Sequence, residues 1–479
     1  MHLNHPSAAR AVALLLCLTL SPEVLLAQRR IRKDLVYERN LRAEMNFLAS
    51  DALQGRGSAT NFERIAAEYI ASQFRQFGLE PAGDKDASGA PGFVQRVALQ
   101  TVKFTEPPTL RATSEGQTRS WQYGRDLLTN FVRSSQTSGK LQLVDADETP
   151  AKGAFAIVRL PANSDRQKRA DVTGRAFNAH AAGVVFLETG ENKRTRESGN
   201  VRPAQLQSRV AEGLDAAFAV VNLSQEGFDV LAAMPTGSMV EFGGPTQVDN
   251  NGATWNAVGL LRGWDQKAGK DAIFLSAHLD HLGVNESNTG DKIYNGADDD
   301  ASGCVTVLEL ARALAAGPRP RRTIYFVCFG SEERGGWGAQ YFTSHSPVPL
   351  EHIVADLNFE MLGRPDAKVG PSKLWLTGYE RSNLGAELAR QGARLVADPH
   401  PEQNFFQRSD NYTLALRGVV AHTVSSFGLH SDYHRPSDEA SKIDFLFMTT
   451  CVGWLIGPVR WLANTSFRPA WNPGKAPTR

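Results

Sequence analysis

Four apolar runs that each stop at a histidine or a carboxylate constrain this chain more than any other feature. Ala272-Ile273-Phe274-Leu275 runs on to His278, with Asp280 two residues later. Residues 323–330 (TIYFVCFG) end in Ser331-Glu332-Glu333, and residues 353–357 (IVADL) lead to Asn358-Phe359-Glu360-Met361. Gly418-Val419-Val420-Ala421 reaches His422, and the loop beyond it carries Asp432-Tyr433-His434. Short apolar runs bounded by turn residues read as buried strands. Helical spacing falls between them, at 301–316, after Gly335-Gly336-Trp337, at 384–395 and at about 443–462. Alternation of this kind predicts an α/β fold, with a mixed, mostly parallel central sheet and helices on both faces. In such sheets ligands gather beyond the carboxyl ends of the strands.

The residues at those ends are chemically coherent. In an extended chain, positions i and i+2 point the same way, so His278 and Asp280 face one site. An imidazole that binds a metal usually gives its other N–H to a carboxylate, and His-x-Asp supplies both parts. The loop after Asp280 leads into Gly296-Ala297-Asp298-Asp299-Asp300-Ala301-Ser302-Gly303. Taken alone, its acids suit a solvated helix N-terminus as well as a site. Glu332-Glu333 taken alone reads mainly as an exposed helix start. Together with the other strand ends they read as metal ligands, because adjacent carboxylates in a dry site need a cation to stay ionised together. Mixed His and carboxylate donors suit zinc, with manganese or cobalt as alternatives. His281 and His430 are expected beside the site rather than as ligands. His422 is expected to be packed, and Asp410 and Asp438 to brace His434.

The ordered motifs HxD, GADDDASG, SEE, NFEM and YHRPSD resemble the co-catalytic di-zinc aminopeptidase family, which also includes glutamate carboxypeptidase. The resemblance implies roles residue by residue. His278 and Glu360 hold one zinc, Glu333 and His434 hold the other, and Asp299 bridges the two. Glu332 is the general base, Asp280 orients His278, and Tyr433 polarises the substrate carbonyl. It also implies a cis peptide after the bridging residue, between Asp299 and Asp300. Glu360 departs from the aspartate commoner at that position, and is still a hard oxygen ligand. The implied activity is removal of N-terminal residues from peptides. A carboxypeptidase, a dipeptidase or a glutaminyl cyclase on the same scaffold stands as the alternative, as does a catalytically dead binding protein.

The remaining chain sets the frame. Arg10 before the apolar run 11–20, with Ala27 before Gln28, reads as a signal peptide over 1–27, implying export to periplasm or medium. Cys17 lacks the small preceding residue that lipidation expects. No later stretch reads as a membrane span. Residues 28–130 and 251–467 are expected to form one discontinuous peptidase domain, and 468–479 a loose tail. Residues 131–250, with strand, Ala-rich helix and strand around His180, resemble a protease-associated insert; His180 itself reads as solvated. Cys304, Cys328 and Cys451 lack CxxC spacing and a disulfide count, so they read as small apolar residues. A net charge of +1 gives no sign of a nucleic-acid partner. The expected partners are peptide substrates, and the oligomeric state is left open.

Overall fold

The computed structural model describes residues 35–478 apart from 165, 200, 202–203, 205–208 and 211–216. The expected signal peptide and Cys17 lie outside the described residues. The chain folds as two compact units, one running through Val97 and resuming at Thr254, the other spanning Ala98–Ala253.

The first unit is built on a mixed sheet. Seven of the sheet's ten strands are β1 (Thr246–Leu261, in this unit from Thr254), β2 (Ala272–His278), β3 (Thr323–Phe329), β4 (Ile353–Phe359), β5 (Leu374–Leu376), β6 (Leu395–Ala397) and β7 (Ala421–Ser425). They lie in the order β6-β5-β7-β4-β2-β3-β1. The central pairs β2–β3, β2–β4 and β4–β7 are parallel, and β1–β3 and β5–β7 are antiparallel. Every residue of β2, β3, β4 and β7 is buried. Parallel strands covered on both faces show this continuous burial, which is why their sequences run apolar without alternation.

One face is covered by α1 (Glu38–Leu48), α2 (Asn61–Gln76), α3 (Ser302–Ala315) and α6 (Phe445–Asn464), which join one apolar cluster with Ile273, Leu275 and Phe326. The other cluster holds Phe274, Val327 and Phe329 of the strands with Ala339 and Phe342 of α4 (Trp337–Ser344). Helix α2 starts where Thr60 Oγ1 accepts the Phe62 and Glu63 N–H groups, a side-chain cap.

Two expectations change here. Helix α6 is long and apolar enough to cross a membrane by length and composition, although no such stretch was expected. Phe445, Met448, Cys451, Leu455, Val459 and Leu462 are buried in the core cluster, so its apolarity serves packing between α1 and α3. The segment after Phe467 is also not a loose tail. Trp471 Nε1 donates to Gly418 O at 3.1 Å, and Asn472 N donates to Arg381 O at 2.7 Å. Indole packing against Phe406 and His422 holds it down.

The second unit carries an eight-stranded mixed sheet. Its strands at 136–145, 154–159, 183–187 and 219–223 run parallel. It begins at Ala98, earlier than the expected 131. The reason is pairing: Thr109–Ser114 ladders with Met239–Gly243, and Leu127–Val132 with Ala219–Leu223. His180 is exposed in the turn that follows the helix Arg166–Asn178. All three described cysteines are buried free thiols.

Candidate metal centre

The carboxyl ends of β2, β3 and β4 deliver His278, the Ser331-Glu332-Glu333 turn and Glu360. The turn Ala297–Ala301 brings Asp299, and the loop after β7 brings His434. Ser331, Met361 and His434 all take left-handed backbone, with φ of 55°, 56° and 54°. Non-glycine residues adopt that region rarely, and such positions concentrate at functional sites. The Asp299–Asp300 peptide is cis. Gly303 sits where a Cβ would stand 2.2 Å from Phe359 O and 2.3 Å from the Asp300 carboxylate, so only glycine lets α3 start this close to β4.

Two groups of donor atoms converge on Asp299. His278, Asp299 and Glu360 form one; His281, Asp299 and Glu333 form the other, each within 4.8 Å. His434 Nε2 lies 3.1 Å from Asp299 Oδ2 and 3.3 Å from Glu333 Oε1. The structure therefore brings together all five residues expected as ligands. It also adds His281, whose Nδ1 is 2.8 Å from Glu333 Oε1. His281 was expected only as a neighbour; a histidine three positions beyond His278, on a turning chain, was the available signal.

The contacts inside the cluster have a telling defect. His278 Nε2 is 3.2 Å from Asp299 Oδ1, yet it makes no hydrogen bond, and neither do His281 Nδ1, His281 Nε2 or Glu333 Oε1. Buried polar atoms are ordinarily paired, so unpaired donors aimed at one another mark a place for an ion. The residues present fit zinc: imidazole nitrogen and carboxylate oxygen, with one carboxylate shared between two groups.

Electrostatics agree. Burial opposes charge on His278, but Asp280 and Asp299 hold its pKa well above the ordinary histidine value. Burial likewise opposes charge on His434, and Asp299 and Glu333 raise it to about 10. Against the cost of burial, His278 and His434 hold Asp299 well below the usual carboxylate range. Glu360 is raised to about 7 by burial, and Glu332 is raised well above the ordinary value, also by burial first. Histidines pushed up and Asp299 pushed down in one buried cluster mark groups that a bound cation would compete for with protons.

Around the donors lies a frame of hydrogen bonds. His278 Nδ1 meets the Asp280 carbonyl at 3.2 Å, while the Asp280 carboxylate stands 3.7 Å away. The backbone oxygen, rather than the expected carboxylate, is thus the nearer partner. The Asp280 carboxylate instead accepts from Ser58 Oγ at 2.5 Å, Glu332 N at 2.9 Å and Glu333 N at 3.3 Å. It fixes the turn that presents both glutamates. Asp438 accepts from the N–H groups of Asp298 and Asp299, so it holds the turn rather than His434. Asp298 accepts from Gly363 N and meets His430 Nε2 at 2.9 Å. Asp300 accepts from His278, Gly303 and Met361 N–H groups. Asp410 is buried with neither carboxylate oxygen bonded. His422 is fully buried, as expected of a packed residue.

Arg56 is a contributor that sequence reasoning missed. It is 1 % exposed, and its guanidinium donates to Leu48 O, Leu279 O, Asn295 O and Gly296 O at 2.5, 2.9, 2.7 and 2.9 Å. Leu279 lies between His278 and Asp280, and Asn295-Gly296 lead into the aspartate turn. One buried cation thereby ties both ligand loops to the N-terminal segment.

Beside Glu360 a cavity opens, walled by Met361, Trp375, Phe405, Phe427 and Tyr433. The Tyr433 ring stacks on His434 with centroids 3.9 Å apart, and burial with nearby carboxylates raises its pKa, so its hydroxyl stays a neutral donor.

Comparison with known proteins agrees with this geometry. Residues 256–452, which hold His278, His281, Asp299, Glu333, Glu360 and His434, match the profile of peptidase family M28. Aminopeptidase YwaD of Bacillus subtilis (strain 168) is 24% identical over 362 residues, covering 72% of this chain and 67% of the relative. A probable zinc metalloprotease of Pyrenophora teres f. teres (strain 0-1) is 40% identical over 203 residues, covering 36% of this chain and 42% of the relative. Among solved structures, an aminopeptidase from Aneurinibacillus sp. strain AM-1 shares the fold at a TM-score of 0.52 and 18% identity, over 93% of this chain and 98% of that one. The match to peptidase family M28 is carried by residues 256–452, and together with the aminopeptidase relatives it supports a metallo-exopeptidase.

Proposed function

We propose that the chain is an exported aminopeptidase that removes N-terminal residues from peptides with two zinc ions. The observation that carries the reading is the pair of donor groups sharing Asp299, set beside the Glu332-Glu333 turn. His278 and Glu360 would hold one ion, Glu333 and His434 the other, and Asp299 would serve both. When bound, paired metals activate water and stabilise the oxygens of the tetrahedral state.

The chain's own residues do the rest. Glu332 takes the proton of the attacking water and delivers it to the leaving amine. Burial raises its pKa above the ordinary carboxylate value, which strengthens it as a proton acceptor. Asp280, fixed by Ser58, holds the Glu332 and Glu333 amides so that the two acids keep separate tasks. Tyr433 offers its hydroxyl to the developing oxyanion. The N-terminal apolar stretch supports export, and the unit Ala98–Ala253 is read as a protease-associated domain.

The test is metal content and turnover of aminoacyl anilides, with a Glu332→Gln variant in parallel. Two metals per chain, and cleavage that falls by at least a thousandfold in the variant while metal is retained, are expected. Ammonia release from N-terminal glutamine without amide cleavage would assign a cyclase. Cleavage confined to N-blocked, C-terminally free peptides would assign a carboxypeptidase.

A further inference from the structure

The turn that presents Glu332 and Glu333 hangs from two buried acids, and only one of them is Asp280. The Glu332 and Glu333 amides end on Asp280. The amide before them, Ser331 N, ends on Glu63 Oε1 at 2.7 Å, and Ser331 Oγ donates to the same oxygen at 3.0 Å. Glu63 lies in the first turn of α2, 268 positions earlier in the chain, and is fully buried. Thr60-x-x-Glu63 has the spacing of a capping box, in which the glutamate turns back onto its own helix start. Here Oε2 accepts from Ala59 N at 3.0 Å, while Oε1 leaves the helix for Ser331 and for Thr254 Oγ1 at 2.8 Å. All four of these donors are neutral. An acid buried on such terms is costly to keep.

What it holds is a strained residue. Ser331 takes a φ of 55°, and a non-glycine residue stays there only where its surroundings over-determine it. The turn also sits down closely on the acid. A Cβ on Gly330 would stand 2.3 Å from Thr254 Oγ1 and 2.8 Å from Glu63 Oε1. Resting on the reading of Glu332 as the base, we infer that Glu63 is a positioning residue for that base. Its carboxyl group fixes Ser331 in the left-handed conformation, and this sets the direction in which the chain enters Glu332. Ser58 meets Asp280 and Glu63 meets Ser331, so one short N-terminal segment grips the turn at both acids. Glu63 bonds to none of the metal ligands, and Glu333 keeps its own tie to Asp280. Loss of Glu63 therefore falls on rate rather than on metal.

The experiment measures kcat, KM, zinc content and melting of the zinc-loaded full chain on leucine anilide. Glu63→Met should lower kcat about 100-fold, the scale of a small misplacement of a reacting group, with zinc content unchanged. KM should stay within about threefold of wild type. Glu63→Gln keeps one oxygen for Ser331 and should lose only about fivefold in kcat. Adding Ser331→Gly to Glu63→Met should recover about tenfold, because glycine takes this φ unaided. A merely structural role would lower the melting temperature and would not be relieved at residue 331. A wild-type kcat in Glu63→Met, a fall in kcat that follows zinc loss, or no recovery with Ser331→Gly overturns the inference while the aminopeptidase reading stands. Should Glu63→Met fail to fold, the isosteric Glu63→Gln decides: a lowered kcat at full zinc content supports the role, and an unchanged kcat overturns it. Absence of cleavage by the zinc-loaded wild type overturns the aminopeptidase reading, and this role with it.

Discussion

Replacing Arg56 tests how the site is assembled. Its guanidinium is buried among carbonyl oxygens rather than paired with a carboxylate. Arg56→Met keeps the apolar stem and removes the donors and the charge. Each buried carbonyl left without a donor costs about 1–3 kcal/mol. Relief from burying a cation, itself several kcal/mol, offsets part of the total. The net loss expected is on the order of 4 kcal/mol, which in a unit of this size lowers the melting temperature by roughly 8 °C. The effect should exceed stability alone. Asn295, Gly296 and Leu279 carry the ligand loops, and loss of groups that orient metal ligands costs about 10–100-fold in affinity. Titration against a zinc chelator, with melting curves of apo and metal-loaded protein, separates the two effects. A merely structural residue would lower both melting temperatures equally and leave affinity untouched. Arg56→Lys keeps the charge but cannot spread its donors across both loops, so it should fall between. Unchanged zinc affinity in Arg56→Met, with a melting shift under about 2 °C, would refute the reasoning.

Two further predictions concern pH. His422 is fully buried, with Nδ1 2.7 Å from Thr377 O and Nε2 2.7 Å from Ser382 Oγ, and burial lowers its pKa to about 4. The unfolded chain binds this proton near pH 6.5, so the contribution is whole above 6.5 and is lost as pH falls towards 4, on the order of 3 kcal/mol. His422→Gln should flatten that limb of the stability curve measured by denaturant titration; an unchanged limb counts against the assignment. Asp356 behaves oppositely. Its Oδ1 accepts from Ser276 Oγ, its Oδ2 is buried without a partner, and burial raises its pKa to about 7. The folded state keeps this proton from about pH 4 to 7, so stability falls as pH rises through that window, by on the order of 4 kcal/mol. Asp356→Asn should remove the fall and make the protein more stable than its parent at pH 8, which thermal melting at pH 5 and pH 8 will show or exclude.

What the sequence made legible follows from distance along the chain. Strands β2, β3 and β4 announce themselves because both faces are covered, and each ligand that sits at its own strand's end inherits that visibility. The ligands His278, Glu333 and Glu360, and the proposed base Glu332, are of this kind. The frame around them is not local. Arg56 reaches residues 223, 239 and 240 positions away, and Asp438 reaches back 139 to the Asp299 amide. No spacing rule encodes a guanidinium that bonds to carbonyls, since any residue could supply them. The edge of the second unit was hidden for another reason: Gln117–Gln122 is almost wholly exposed, so pairing alone makes it a strand. The cavity beside Glu360 was equally silent, because Trp375 and Thr377 sit in an ordinary apolar run and Arg408 lies more than 30 residues on. Sequence therefore exposes the chemistry of this enzyme sooner than the frame that holds it. Ligand types are dictated by the ion and must stand at strand ends, whereas the groups that orient them are chosen by contacts that only the folded chain creates.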